Sequence, residues 1–406
     1  MSLRILHVID SMDPASGGAP AAIRQLIPLM REIGVDAEVV CFDADTDGSV
    51  THECFPMHRL GPGRGPWRYH PKFRAWLGRA LPRFDACIIH GLWLYNGYAS
   101  TKESHGLRNL KNPRTPRVFI MPHGMLDPWF QRAAHRRLKA LRNRIWWAMV
   151  ERATIRRADG LLFTTQEERR LASVGFRDLP SSREWVVGLG TDGPPEWQPS
   201  MRDAFREACP GVGEKPFLLY MGRIDPKKGI DILMDAWGDL LRASQDREGM
   251  PWLVIAGPGW ETPYGRDLLA KRSGDPLLAA GVLTAGMLAG DAKWGALIAC
   301  EAFVLISHQE NFGVTVAEAL SCGRPVLVSR GVNIHATVTD TRSGLTCLPE
   351  RVDACRMLSD WMAMDGGARA RMSVAATEAW HSHFTLRDTA RRMVEAISAD
   401  PTDAHA

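Results

Sequence analysis

Glu310-Asn-Phe-Gly-Val-Thr-Val-Ala-Glu318, followed at once by Ala-Leu-Ser-Cys-Gly-Arg-Pro-Val326, decides how this chain is read. An apolar run at 302–306 leads into it and a second, 325–328, leads out. The Phe312-Gly313 step reads as a helix start and Glu318 falls inside that helix. The unit is therefore strand–loop–helix–strand, with Glu310 at the carboxyl end of a strand, where open α/β sheets bind ligands. Eight residues of helix rise roughly 12 Å. That exceeds the separation of about 5–9.5 Å used by a glycoside hydrolase's carboxylate pair. The two glutamates suit opposite ends of one extended ligand, Glu310 on sugar hydroxyls and Glu318 on ribose hydroxyls. The first helical turn, with Asn311 before it and Phe312, Gly313, Val314 and Thr315 around its start, offers free N–H groups to a phosphate. The plain alternative for Glu318 is an exposed helix acid, which its apolar neighbours Val316, Ala317, Ala319 and Leu320 disfavour.

Moving toward the N-terminus, Gly222-Arg-Ile-Asp-Pro-Lys-Lys-Gly229 follows the apolar strand pattern 217–221. Two cations, Arg223 and Lys228, on a loop at a strand end suit a diphosphate. Lys227 reads as solvated, because adjacent lysines do not readily point the same way. Strand patterns recur at 253–256, 282–285, 303–306 and 326–328, with helical stretches between. In the first half they stand at 4–9, 37–42, 86–90, 117–121 and 161–164. Strands alternating with helices give parallel β-α-β units and an open doubly wound sheet in each half. Gly and Pro crowd the stretch between. The expected division is therefore an N-terminal Rossmann-like domain over 1–190, a linker over 191–215 and a second Rossmann-like domain over 216–384. A last amphipathic helix and the tail occupy 385–406.

The first half carries its own strand-end signals. Asp10-Ser-Met-Asp-Pro-Ala-Ser-Gly-Gly18 precedes a helix, and Gly17 with Gly18 lets backbone approach an anion. A tight strand-to-helix turn would look the same. His90, in Ile-Ile-His-Gly-Leu-Trp93, and His123, in Met-Pro-His-Gly, each end a probable strand and precede a glycine. A lone histidine is more often structural, but two in equivalent positions point to the ligand-binding end.

These residues together resemble glycosyltransferase family 4, of GT-B architecture. The matching positions are Gly17-Gly18, His123-Gly124, Gly222-Arg223 with Lys228-Gly229, and Glu310 with Glu318-Ala319 and Gly323-Arg324-Pro325. They span nearly the whole chain in the family's order. The resemblance implies two Rossmann-like domains facing across a cleft, and makes the helix within 385–406 a crossover helix that returns to the first. It implies retaining transfer from a nucleotide-diphosphate sugar, with no metal and no other cofactor, and His123, Arg223, Lys228 and Glu310 as catalytic residues. His90-Gly-Leu-Trp93 and Gly124-Met-Leu-Asp-Pro-Trp129 are similar to members that build bacterial surface polysaccharides. That makes His90, Trp93 and Trp129 candidate acceptor-side residues, with a saccharide or lipid-linked acceptor. The family often has Pro where Ile306 stands, and Pro or Asn where Gly188 stands; neither position carries a charged ligand group.

Composition agrees with a two-domain globular chain: 406 residues, 45% apolar and 24% charged. Its eight cysteines form no C-x-x-C pair, which suits a reducing, cytoplasmic compartment and neither a disulfide framework nor a zinc site. The apolar N-terminal run is interrupted by His7, against a signal peptide. Residues 1–200 hold 28 Lys/Arg against 20 Asp/Glu, and 201–406 hold 22 against 26. No nucleic-acid recognition motif accompanies the basic half. Residues 131–157 concentrate nine basic residues and one acid near Trp129, Trp146 and Trp147. Such a helix can rest peripherally on an anionic membrane, or simply present a basic face to water. Asp43-Ala-Asp-Thr-Asp-Gly48 begins like a calcium loop, but its twelfth position is Cys54. It reads as a solvated loop. The competing functions are a nucleotide-sugar epimerase, a metal-dependent transferase of another architecture, and a non-catalytic sugar-nucleotide-binding protein.

Overall fold

The computed structural model describes residues 2–13, 18–44, 54–132, 137–176, 179 and 183–399, with backbone alone for 131–132 and 137–140. Gly17 and the aspartate loop from residue 45 to 50 lie outside the described residues. The chain divides into two compact units, 1–190 with 386–406, and 191–385.

The first unit is built on seven parallel strands: β1 Leu3–Val8, β2 Val35–Cys41, β3 Met57–Arg59, β4 Ala86–His90, β5 Arg117–Met121, β6 Gly160–Phe163 and β7 Glu184–Val186. Their order is β3-β2-β1-β4-β5-β6-β7. Strand β4 is buried at every position, as expected for a central strand covered on both faces. The order reverses between β1 and β4, which pair from Ile5 opposite Ala86 to Val8 opposite Ile89. That reversal creates a crevice at the strands' carboxyl ends. The second unit repeats the plan with six strands: β8 Phe217–Met221, β9 Trp252–Ala256, β10 Val282–Ala285, β11 Ala302–Leu305, β12 Val326–Ser329 and β13 Gly344–Cys347. Their order is β10-β9-β8-β11-β12-β13, so the reversal falls between β8 and β11.

Ten of the strands sit where the apolar pattern places them. The three unanticipated ones, β3, β7 and β13, are all outermost in their sheets and only three or four residues long. At that length a period-2 pattern has too few positions to register. The expected linker over 191–215 is corrected. Thr191 pairs with Thr385, its N–H donating to the Phe384 carbonyl at 2.9 Å. Residues Pro199–Ala208 form a helix, begun by its proline, that buries Met201 and Phe205 within the second unit.

The helix Leu386–Ser398 returns to the first unit, burying Leu386, Thr389, Ala390, Met393, Ala396 and Ile397. Thr389 Oγ1 accepts the Gly190 N–H at 2.9 Å, and Arg117 Nη1 donates to the Ile397 and Ala399 carbonyls at 2.6 Å each. Among the described residues no helix is long and apolar enough to cross a membrane.

Candidate functional site

In the second unit the charged residues gather where β8 and β11 end. Asp225 caps a short turn, Pro226–Lys228, by accepting the Lys227 N–H at 2.9 Å. Gly229 then takes φ 62° and starts the helix Ile230–Ala243. A Cβ there would stand 2.0 Å from the Ile306 carbonyl oxygen, so only glycine lets this loop press on the end of β11. The loop after β11 is laced down in turn. Ser307 Oγ donates to the Lys227 carbonyl at 3.0 Å, and the His308 N–H to the same carbonyl at 2.8 Å. Glu310 is held through its own backbone: its N–H donates to Gly331 O at 2.7 Å and its carbonyl accepts the Asn333 N–H at 3.0 Å.

This lacing brings Lys228 Nζ onto Glu310 Oε2 as an ion pair, with the two side chains 16% and 20% exposed. Burial alone would raise the Glu310 carboxyl; Lys228, Lys227 and Arg223 outweigh it and hold the pKa below the usual range. Lys227 is therefore not the solvated lysine the pattern implied. It is partly buried, and desolvation lowers its pKa while Glu310 pulls it back. Arg223 remains exposed.

The helix following Glu310 is Val314–Ser321, with Gly313 as its left-handed N-cap at φ 82°. The N–H groups of Val316 and Ala317 bond to the Gly313 carbonyl. Among the described residues, those of Val314 and Thr315 stay open for an anion. Phe312, expected beside the ligand, is buried and packs edge-on against Phe384 at 5.7 Å. Only its backbone belongs to the site. Glu318 projects from the next turn and meets a residue the sequence did not suggest, Lys293, on the helix Gly290–Ala299. Lys293 Nζ stands 2.6 Å from Glu318 Oε1. Burial raises the Glu318 pKa and Lys293 offsets part of that. The two residues are 25 positions apart, on different helices, so no local spacing announces the pair.

In the first unit Gly18 opens the helix Gly18–Glu32. His90 ends β4, and both its ring nitrogens are engaged. Nε2 lies 2.9 Å from His7 Nδ1, and Nδ1 lies 2.9 Å from His123 Nε2. The acceptor-side assignment of His90 is thereby corrected: it is buried between two other histidines. His7, on β1, was not anticipated as part of any site. Burial depresses all three histidines, His7 and His123 to about 4 and His90 well below its ordinary value, so all are neutral at pH 7. His123 is half-buried and takes φ 52°, a left-handed conformation rare outside glycine. The strain is held by Glu168. Its Oε1 accepts the Gly124 N–H at 2.5 Å, and its Oε2 accepts the Thr164 N–H at 2.7 Å and hydroxyl at 2.6 Å.

Trp93 also departs from expectation. It is 7% exposed and packs against Trp147 and Phe176 in the core. The Glu151 carboxylate accepts its backbone N–H at 3.0 Å and the Trp146 indole N–H at 2.9 Å. Burial raises Glu151 to about 7. Trp146 stacks on Trp67 at 4.7 Å, so the tryptophans of the basic segment turn inward. The segment's exposed apolar residues are instead Leu141, Ile145 and Met149. Trp129 is half-buried beside Phe130. Among the described residues no group of three or more His, Cys, Asp or Glu is arranged to hold a metal ion.

Comparison with known proteins matches residues 17–190 to the glycosyl transferase 4-like domain and 201–379 to glycosyl transferases group 1. A D-inositol 3-phosphate glycosyltransferase from Kribbella flavida is 32% identical over 56% of this chain and 54% of its own length. A GDP-mannose-dependent alpha-(1-6)-phosphatidylinositol monomannoside mannosyltransferase from Mycolicibacterium smegmatis is 26% identical over 68% and 74%. The alignments to these curated relatives thus span between about half and three-quarters of their lengths. Among solved structures, the Anabaena protein HepE in complex with UDP superposes with TM-score 0.71 at 18% identity, covering 98% of this chain and 100% of HepE. WaaG, a glycosyltransferase involved in lipopolysaccharide biosynthesis, superposes with TM-score 0.65 at 16% identity, over 98% and 100%. At these identities the likeness is one of fold.

Proposed function

This chain belongs to glycosyltransferase family 4, and on that premise we propose that it is a retaining glycosyltransferase. Its donor in this reading is a UDP- or GDP-sugar, and its acceptor a saccharide or lipid-linked saccharide of bacterial surface polysaccharide. One observation carries the proposal. Lys228 pairs with Glu310 at the ends of β8 and β11, beside Arg223, Lys227 and the open N–H groups of Val314 and Thr315.

Arg223, Lys228 and the helix start stabilise the negative charge that grows on the departing diphosphate. Glu310 orients the sugar, and Glu318 takes the ribose hydroxyls with one oxygen steadied by Lys293. His123 is the first unit's residue for the sugar or for charge developing near the anomeric carbon. The anomeric C–O bond to the diphosphate breaks as the acceptor oxygen bonds on the same face. The leaving phosphate takes the acceptor's proton, so no side-chain base is assigned. These cations carry the charge that a metal would otherwise carry, and no metal is assigned. Activity should survive EDTA.

A thermal-shift panel of UDP-, GDP- and ADP-sugars tests the donor; the printed name of one relative makes GDP-mannose an obvious member. Donor at a hundred times its Kd adds about 2.7 kcal/mol, so one nucleotide series should raise Tm. If none does, the proposal fails. Release of a free epimerised sugar without acceptor would favour the epimerase. Donor binding without turnover on any acceptor extract would favour the non-catalytic reading.

The same proposal places the enzyme in the cytoplasm, resting on the inner face of the membrane. Leu141, Ile145 and Met149 stand 58%, 54% and 74% exposed at i, i+4 and i+8, flanked by exposed Arg144 and Arg152. An aliphatic stripe edged by arginines suits an anionic surface. Flotation with anionic vesicles at low salt should recover the protein, and Leu141→Ser/Ile145→Ser/Met149→Ser should weaken it. Equal recovery with neutral vesicles, or none, would remove this part.

A further inference from the structure

We propose that His7 and His90 act as positioning residues, a hydrogen-bond relay that fixes the tautomer of His123 so that its Nδ1 carries the proton. The inference rests on the assignment of His123 to the sugar and deepens it.

The relay crosses the carboxyl-end half of the first sheet. His7 is wholly buried on β1 and His90 nearly so on β4. Two hydrogen bonds of 2.9 Å join His7 Nδ1 to His90 Nε2 and His90 Nδ1 to His123 Nε2. Successive rings are stacked, with centroids 5.2 Å apart and planes 21° apart at both steps. His90 and His123 line a small pocket together with Ala22, Ile23, Met121 and Met393. The three rings are neutral because burial lowers each pKa.

A neutral imidazole has one N–H and one lone pair. Each histidine–histidine bond uses one of each, so the whole chain runs in one direction or the other. Running from His123 toward His7, the last proton sits on His7 Nε2. That atom is buried and has no partner among the described residues. An orphaned N–H donor in such a place is rare, and an unused acceptor is less so. The favoured direction therefore starts at His7 Nδ1–H, passes through His90 Nδ1–H and ends on His123 Nε2. His123 is left with Nδ1–H as its free donor. It can then donate to a sugar oxygen and cannot take a proton from one at that atom. Hydrogen bonding at one ring nitrogen commonly sets the role of the other.

The test has two readouts. Two-bond ¹H–¹⁵N spectra of the histidine-labelled protein report tautomers directly, without substrate. The expected result is Nδ1–H at His123 and His90. In His90→Phe the donor to His123 Nε2 is gone, and the half-buried His123 should shift toward the Nε2–H form. With transfer established, that variant should lose about ten- to hundredfold in kcat, the range seen for outer-shell partners of functional histidines. Donor KM should change little. His90→Asn, whose side-chain amide can replace the Nδ1–H, should restore both the tautomer and most of kcat. Nε2–H at His123 in the wild-type protein would overturn the relay. So would a His90→Phe variant with unchanged tautomer and rate. Because the spectra need no donor, a failure of the proposed reaction and a failure of the relay give different results.

Discussion

Lys228→Ala is expected to lower kcat by about 10²–10³-fold, with a smaller change in donor KM. In the proposed reaction Lys228 faces charge that is present in the bound donor but grows as the diphosphate departs, so its removal weighs most on the transition state. The substitution also strands Glu310. That carboxylate is held below its usual pKa against burial, and Lys228 is the first of the three cations that hold it there. Losing one member of a fully buried pair costs about 3–5 kcal/mol. Both side chains keep some exposure here, 16% and 20%, so a loss of about 1–3 kcal/mol in the second unit is the reasonable expectation. The double substitution Lys228→Ala/Glu310→Ala separates the two effects. Removing the stranded carboxylate should restore much of the urea midpoint while kcat stays low. A Lys228→Ala enzyme with wild-type kcat and kcat/KM would take Lys228 out of the mechanism. A double variant with restored rate would do the same.

The first unit should lose stability in mild acid, through its three buried histidines. Their folded pKa values lie at about 4 for His7 and His123, and burial lowers His90 well below its ordinary value too, against 6.5 for the free side chain. Below pH 6.5 the unfolded chain binds protons that the folded chain refuses. The stability they contribute is complete above pH 6.5 and falls as the pH drops toward 4. Glu151 works the other way: its folded pKa of about 7 lies above its ordinary 4.5, so it penalises the fold as pH rises through that window. Between pH 7 and 5 His7 and His123 each remove about 2 kcal/mol, His90 acts in the same direction, and Glu151 returns about 2, so the net loss is at least about 2 kcal/mol. Urea titrations at the two pH values, read at the first transition, check the total. Glu151→Gln should steepen the fall by about 2 kcal/mol, and His7→Phe should make it shallower. A flat profile in the wild-type protein would show that these histidines charge freely in the folded state.

Much of the donor side of this site was legible in the chain. Arg223, Lys228 and Glu310 lie on loops that follow strand ends and Glu318 in the helix after one, inside local β-loop-α patterns that turn chemistry and apolar periodicity mark clearly. What escaped were residues whose meaning depends on a partner far along the chain. Lys293 matters because helix packing sets it on Glu318. Glu168 stands in the first turn of the helix Gln166–Gly175 and pins Gly124, 44 residues earlier. Trp93 and Phe312 sit beside recognisable motifs, but an aromatic next to a site and an aromatic in the core have the same local sequence. Packing turned both inward.

The chain by itself determined two parallel α/β sheets and the cationic and acidic groups at the carboxyl ends of the second. Those features follow from periodicity and from residues close in sequence, where backbone geometry leaves little choice. Tertiary structure alone decided which groups touch. In-register pairing of β1 with β4 places His7 beside His90, and close approach at Gly229 sets the Lys228 loop on the end of β11. Such contacts are set by sheet register and helix packing, and neither is written in any short stretch of residues.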